Sequence, residues 1–488
     1  MLAKILATAF CGLISLPLFA AAAPDIVLHG SIESEQKYSY VELPFRVPPG
    51  VERLTVDFSY TGKEDHATLD LGAEDPERFR GWSGGNKSSF TIGVSDATPS
   101  YLPGPILPGE WHLLIGVANL RAGKTANYTA NITFTRDKQG GIESFSTAPL
   151  RSDARWYRGD LHMHTAHSDG SCASQSGKQV PCPLFVTAQS AANKGLDFIA
   201  ITDHNTTSHY DDERELQPYF DQMLLIPGRE MTTIAGHANF FGSTHFVDFR
   251  VEAQKTPPAN QMFRAGRELG ELVSINHPVG PDDERCIGCG WNAKDTDLSL
   301  VDAIEAINGD NQQLHTLDVA FWEAQLARGY RLTAIGGSDT HRPDRGTIGH
   351  PTTAVFANEL SVPAILDGIR AGHVFVDLTA SRDRVLELTA SAGSAKADMG
   401  DTLRAPAETS VSLNVHLVAC AGSKVQLIVD GHPDDALLAA STIGNAEQTL
   451  HATWTSDGHR HWIRAEVRGP GGDLQLLGNP VYINQETK

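Results

Sequence analysis

The chain has 488 residues, 41% of them hydrophobic and 20% charged, with a formal net charge of −20 and a pI near 5.4. That length exceeds what one hydrophobic core normally organises, so two or three domains are expected. The acidic balance offers no basic footprint to a phosphate backbone or an anionic bilayer; it excludes a general nucleic-acid or membrane-surface binder but not a small phosphorylated molecule held through metal.

The N-terminal MLAKILATAFCGLISLPLFAAAAP has Lys4, an apolar run and then small residues at Ala20–Ala23, which is the pattern of a secretory leader over residues 1–23. Phe10 before Cys11 is a poor lipoprotein context, and no later run is apolar enough to span a bilayer. The expectation is a periplasmic or secreted protein without stable membrane insertion.

Residues 24–150 read as β structure. Val51, Leu54, Val56 and Phe58 lie close to alternation, as do Tyr128, Ala130, Ile132 and Phe134. Pro-Gly turn signals separate them, and Trp111–Val117 is an apolar strand. An N-terminal β-sandwich is expected, with Trp82 and Trp111 either buried or serving as glycan platforms. A polar, glycine-containing linker follows.

Residues 153–378 alternate between helical spacing and apolar runs. The stretch Gly159–Gly170, GDLHMHTAHSDG, leads. A strand over Asp160–Thr165 would put His162 and His164 on one face, side by side, as a divalent-metal clamp, with Asp169 adding a hard oxygen; the alternative is two polar strand residues. Pro183–Lys194 is helical and stops at Gly195. Leu196–Thr202, Met223–Pro227, Leu272–Asn276, Ala303–Asn308 and Leu332–Gly337 are the apolar runs of strands buried on both faces, with helices such as Ala259–Leu269 and Leu317–Arg328 between them. This predicts an α/β barrel-like domain whose site lies at the C-terminal strand ends. Those ends carry Asp203-His204, Arg229-Glu230, His277 and Asp339-Thr340-His341, with His237 nearby. Half of the 20 histidines fall between His162 and His341, and jointly these endings point to metal. His167, His209, His245 and His373 are read as structural or substrate-facing. Ser361–Arg370 reads as a capped helix, and residues 383–488 return to alternation, giving a C-terminal β-sandwich.

Five of the six cysteines lie beyond the leader. In an oxidising compartment Cys172–Cys182 is a loop staple, and Cys286–Cys289 is either a second staple or half of a zinc site.

The series Asp160-Leu-His162-Met-His164 with Ser168-Asp169-Gly170, then Thr202-Asp-His204, Glu230, His237, His277 and Asp339-Thr-His341, resembles the PHP (polymerase and histidinol phosphatase) metallohydrolases. Gly236-His237-Ala-Asn239-Phe240 and the flanking β domains are most similar to the CehA/McbA-type members. The resemblance implies a distorted (β/α)7 barrel, flanked by the two β-sandwiches, and two or three divalent ions (Zn, Mn or Fe). His162, His164, Glu230 and Asp339 would hold the first ion, Asp169, His204 and His341 the second, and Glu230, His237 and His277 the third. Asp169 stands where the family often has histidine, which favours manganese or iron over zinc. A water bridging the ions would become hydroxide near neutral pH. Glu230, Asp339 and His341 would serve catalysis, and Asp203 would orient a ligand. Arg229 and Arg342 would fork onto a phosphoryl group or make structural salt bridges.

The resulting expectation is a phosphoesterase acting on small phosphate mono- or diesters. The alternative is a hydrolase of aryl carbamates or carboxylic esters, towards which Phe240, Phe241, Phe246 and Trp291 tilt. A third reading is a glycan- or partner-binding protein with a structural metal site. The partner is a small ester molecule rather than nucleic acid.

Overall fold

The computed structural model describes residues 23–136, 142–250, 258–282, 288–438 and 442–485. The chain forms two compact units, one from the chain up to Thr91 together with Leu107–Thr135, the other from Ile92–Ile106 and from Arg136 onward. The expected leader and the linker glycines lie outside the described residues, as does Cys286.

The first unit holds two four-stranded antiparallel sheets. One has the order Ile26–Glu33, Thr125–Thr135, Arg53–Tyr60, Ser89–Gly93; the other is Tyr40–Val47, Gly109–Asn119, Thr68–Glu74, Phe79–Gly84. Alternation does what the sequence required of it: Leu54, Val56 and Phe58 are buried, as are Ala126, Tyr128, Ala130, Ile132 and Phe134 along the neighbouring strand. Trp111 is fully buried and its Nε1 donates to the Leu107 carbonyl at 2.8 Å, so it is no platform. The expected span of 24–150 is too long for this unit, which ends at Thr135 and gives up residues 92–106 to the second.

In the second unit, strands β1 (Arg155–Asp160), β2 (Phe198–Ile201), β3 (Leu224–Thr233), β4 (Gly236–Phe241), β5 (Leu272–Ile275), β6 (Ala303–Asn308) and β7 (Thr333–Gly337) follow one another across a single sheet. Helices α1 (Leu184–Lys194), α2 (Tyr210–Leu216), α3 (Pro258–Glu268) and α4 (Gln312–Ala327) connect four of the steps. The signals read from the sequence operate locally: α1 ends on Gly195 in the left-handed region (φ +73°), and α4 begins with the Asn311 side chain accepting from Gln313 N.

The unit is mixed α/β, and three departures separate it from a regular (β/α)7 alternation. First, β3 and β4 form an antiparallel hairpin, so no helix intervenes and β4 also runs antiparallel to β5. Second, among the described residues only the short 3-10 turn Leu298–Leu300 lies between β5 and β6. Third, β7 pairs in parallel with β6 on one side, but its other edge is met by side chains rather than by a strand. Asn479 Oδ1 accepts from Ala334 N at 2.8 Å, and its Nδ2 donates to the carbonyls of Ala334 and Val374 at 2.9 Å each. Thr353 Oγ1 accepts from Gly336 N at 2.8 Å and donates to Gly336 O at 2.7 Å.

Thr353 belongs to β8 (Thr352–Ala357), which pairs antiparallel with β1 and with β9 (Val374–Asp377); α5 (Val362–Ala371) joins the two. From β9 the sheet continues without a break into Leu474–Gly478, His461–Arg468 and Lys424–Val429. A separate four-stranded sheet contains Ala395–Asp398, Val385–Ala392, Ser410–Val418 and Glu447–Thr455. Its Leu386, Leu388, Leu413 and Val415 share one core with Val425, Leu427, Ile463 and Val467. A C-terminal sandwich is therefore present, but one of its sheets is the extension of the central one, and packing crosses the boundary expected near residues 378–383.

Asn479→Ala would strand buried backbone donors and acceptors of β7 and β9, costing about 2–3 kcal/mol. Denaturant titration should show this loss, whereas Asn445→Ala, at an exposed turn, should be near neutral.

Candidate metal centre

The ligand-bearing segments all leave the same end of the central sheet. Strand pairing of β1 stops at Asp160, where the expected Asp160–Thr165 strand was to begin. The chain nevertheless stays extended because its backbone is held on both sides. Thr202 N donates to Met163 O at 2.9 Å, Asp339 N to His162 O at 2.8 Å, and His164 N to Thr340 O at 2.9 Å. Alternation survives: Met163 packs with Ile199, Ile201 and Leu225, while the rings of His162 and His164 lie 5.2 Å apart on the opposite face. Gly337 is needed here, because a Cβ at that position would collide with His162 and Glu305.

Glu230 is the hub. It is 1% exposed, and its carboxylate oxygens lie 3.4 Å from His162 Nε2, 3.7 Å from His164 Nε2, 2.8 Å from His204 Nδ1, and 3.3 Å from both His237 Nδ1 and His277 Nε2. Asp339 Oδ1 lies 3.1 Å from His164 Nε2 and 3.4 Å from His162 Nε2. Asp169 Oδ1 lies 3.3 Å from His341 Nε2 and 3.6 Å from His204 Nε2. Every residue expected as a metal ligand is thus drawn into one array. His164, Asp169, His204 and His341 form one group able to hold an ion, His162, His164 and Glu230 a second, Glu230, His237 and His277 a third, and His162, His277 and Glu305 a fourth.

Glu305 is an addition to the expected set. It lies on β6, with Oε1 3.0 Å from His162 Nδ1 and Oε2 accepting from His277 N at 3.1 Å and from Asn308 Nδ2 at 3.0 Å. Its sequence signal is a charged residue inside an otherwise apolar strand, where a carboxylate needs a specific partner. Accepting from Nδ1–H fixes the His162 tautomer and leaves Nε2 with a free lone pair towards Glu230 and Asp339. His277 (φ +26°) and Asp339 (φ +50°) both hold backbone conformations unusual for their type, pinned by these bonds and by Asp339 N to His162 O.

Burial works against charge here; at His164 it prevails and lowers the imidazole, while at Glu230, Asp339 and His162 the array overrides it. Desolvation alone would raise the carboxyl of Glu230, but His162, His204 and His237 hold it well below the usual carboxylate range. Asp339 is likewise held low, against burial, by His162 and His164. Burial would lower His162, yet Asp339, Glu305 and Glu230 raise it well above the ordinary imidazole value. The cluster demands positive charge at its centre. His162 Nε2 is buried with no hydrogen-bond partner among the described residues, and Glu230 Oε2 makes no hydrogen bond there either, its closest approach being to His204 Nδ1 at 2.8 Å, a nitrogen also facing Thr232 Oγ1. Unpartnered nitrogen and oxygen donors in an imidazole–carboxylate array are what divalent ions take as ligands, so these residues fit the metals expected.

Supporting contacts differ in part from expectation. Asp203 does not reach His204. It accepts from Thr165 N at 2.7 Å and from the hydroxyls of Thr165 and Ser168, bracing the turn that presents Asp169. The Cys172–Cys182 disulfide forms and closes the same loop, with Cys182 N donating to Gly170 O at 2.9 Å. Asp160 accepts from Ser338 N at 2.9 Å and Gly349 N at 2.8 Å, tethering the Asp339 segment to β1.

Arg229 is corrected from a substrate contact to a structural residue. Alternation on β3 turns it away from Glu230; it is 1% exposed and donates to Glu271, Tyr210 and the Ser243 carbonyl. Arg342 stays partly exposed beside His341, 3.2 Å from Asp344. Phe240 and Phe241 are fully buried, and Trp291 stacks on Phe263, so these aromatics pack the core instead of lining a substrate pocket. His209 bonds the Gly228 carbonyl, His245 faces Glu143 and His373 faces Asp401, while His167 bridges Ser208 and Asp212.

No family profile matches the chain, and no curated protein matches it. The chain is similar to the crystal structure of a two-domain protein containing a predicted PHP-like metal-dependent phosphoesterase from Bacteroides vulgatus ATCC 8482, at 19% identity over 71% of this chain and 100% of that one, with a TM-score of 0.37. It is also similar to a protein from Bifidobacterium adolescentis ATCC 15703, provisionally assigned as a metal-dependent phosphoesterase, at 16% identity over 37% of this chain and 87% of that one, with a TM-score of 0.27. At these scores neither likeness decides fold or chemistry, which rest on the residues above.

Two substitutions test these assignments. Glu305→Ala should weaken metal binding about 10–100-fold by freeing the His162 ring, read by competition with a chelating dye. Arg229→Met should cost about 3–5 kcal/mol by leaving Glu271 buried and unpaired, and adding Glu271→Leu should restore stability with metal content unchanged.

Proposed function

We propose that the chain is an exported, multinuclear metal-dependent hydrolase of the PHP type that cleaves small phosphate mono- or diesters. The observation that carries this is the convergence of His162, His164, His204, His237 and His277 on the buried Glu230, with Asp169 and His341 completing an adjoining donor group and Asp339 beside His162 and His164.

Divalent ions held there supply Lewis acidity and lower the pKa of water towards neutrality. The chain's own groups do the rest. Glu230 sits between donor groups and bridges them. Glu305 fixes the His162 ring, and the Cys289 carbonyl, 2.9 Å from His277 Nδ1, does the same for the ring of His277. Asp339 and His341 are partly exposed, at 25% and 36% of their side chains, where a leaving oxygen would emerge; Asp339, held ionised, is placed to take a proton from water and relay it to that oxygen, with His341 beside it. Arg342, beside them, supplies a guanidinium to a phosphoryl oxygen.

Phosphoesters are preferred to aryl carbamates because Phe240 and Phe241 are core residues and Trp291 stacks on Phe263, which leaves only Phe246 exposed among the aromatics that would have cradled an aryl group. Export rests on the leader pattern of residues 1–23 and on the Cys172–Cys182 disulfide, which suits an oxidising compartment. Among the described residues no helix is long and apolar enough to cross a membrane.

Protein reconstituted with Mn²⁺ or Zn²⁺ should hydrolyse p-nitrophenyl phosphate or its bis ester, lose activity on chelation, and regain it with metal. His164→Ala should abolish turnover. Turnover of 1-naphthyl methylcarbamate alone would move the assignment to carbamates, and bound metal without hydrolysis of any ester would refute the enzyme.

A further inference from the structure

The end of the central sheet opposite the metal centre contains a second feature that the hydrolytic site does not use. There the starts of β6 and β7 and the approach to β9 enclose a cavity of about 320 Å³. Its lining includes Arg267, Arg331 and Arg370, with Asp302, Asp401 and Asn479. The three guanidiniums come from separate elements: α3, the segment entering β7, and the last turn of α5.

Structural ion pairing accounts for two of them. Arg267 Nη1 donates to both Asp302 carboxylate oxygens. Arg370 Nη1 donates to Asp367 Oδ1 at 3.0 Å and its Nη2 to the Gly270 carbonyl at 2.8 Å. Arg331 is different. It donates to the Gly400 carbonyl and lies 4.5 Å from the centre of the Tyr482 ring, and no carboxylate among the described residues pairs with it. A guanidinium carries five N–H donors, and these bonds use only one or two on each residue. The cavity is thus rich in fixed guanidinium donors, with Asp302, Asp367 and Asp401 balancing the three arginine charges and Arg331 the one without a carboxylate of its own among the described residues.

The backbone around it is shaped closely. Gly372 (φ +78°) and Gly400 (φ +90°) meet face to face, and a Cβ on Gly400 would collide with the Ala371 carbonyl. That contact fixes the Gly400 carbonyl and so the plane of Arg331. Arg331 and Asp339 are eight residues apart along β7 and its ends, a separation of about 25 Å for extended chain, so nothing bound here touches the metal ligands.

We propose that this cavity is a binding site for a small phosphate-type oxyanion, separate from the metal centre and independent of metal. A tetrahedral oxyanion presents several acceptors to guanidinium forks at once, and the side chain of Arg331 is pre-oriented for it by Tyr482 and Gly400.

The test uses the metal-loaded full-length chain and inorganic phosphate. Arginine modification by phenylglyoxal is followed by peptide mapping. At ten times the dissociation constant, phosphate should slow modification of Arg331 and Arg267 about tenfold, with sulfate protecting and chloride of equal ionic strength not. In calorimetry, Arg331→Gln and the more exposed Arg267→Gln should each weaken one phosphate-binding event about tenfold while leaving p-nitrophenyl phosphate turnover unchanged. Protection confined to Arg342, or phosphate binding identical in wild type and both variants, would overturn the proposal. Because the readout is at Arg331, the result stands whether or not the metal centre proves hydrolytic.

Discussion

A single buried carboxylate constrains this protein more than any other group. Glu230 has almost no exposure, and an isolated charge in that position would cost several kcal/mol. Five imidazoles from four separate segments answer it, and each of those segments must leave the sheet at the right height to do so. The hairpin of β3 and β4, which breaks the helical alternation, brings His237 back over Glu230 within a few residues. A crossover helix at that step would have carried the chain to the outer face instead.

The charge pattern also explains why the site is a donor set for ions and not a network of neutral hydrogen bonds. Carboxylates held low at Glu230 and Asp339 and an imidazole held high at His162 are a description of missing positive charge. Metal binding replaces protons with a fixed charge of better geometry, and the tautomer set by Glu305 leaves the His162 donor ready for it.

Much of this is legible in the sequence, and the reason is local. The apolar runs that form β2, β5, β6 and β7 end in polar residues, and period-two spacing places His162 and His164 together even though strand pairing stops early. What escapes is whatever depends on pairing between distant segments. Glu305 stands out as a lone charge in an apolar run, but its partner His162 lies 143 residues away. Arg229 misleads because adjacency to Glu230 in sequence means opposite faces on a strand. Phe240 and Phe241 both go to the core, which is decided only once β4 is known to be an interior strand. The side-chain closure of β7 by Asn479 and Thr353 has no local signature at all, since the partners lie 145 and 17 residues away.

That closure sets an order of events. Asn479 lies 145 residues beyond Ala334 in the chain, yet it completes the backbone bonding of the strand that delivers Asp339 and His341. A nascent chain emerging from the ribosome has every metal ligand outside long before it can finish the scaffold that positions them. An ion taken up before Asn479 is in place would meet ligands on an unfinished scaffold, so loading of the centre is coupled to docking of the C-terminal strands as well as to the ligands themselves.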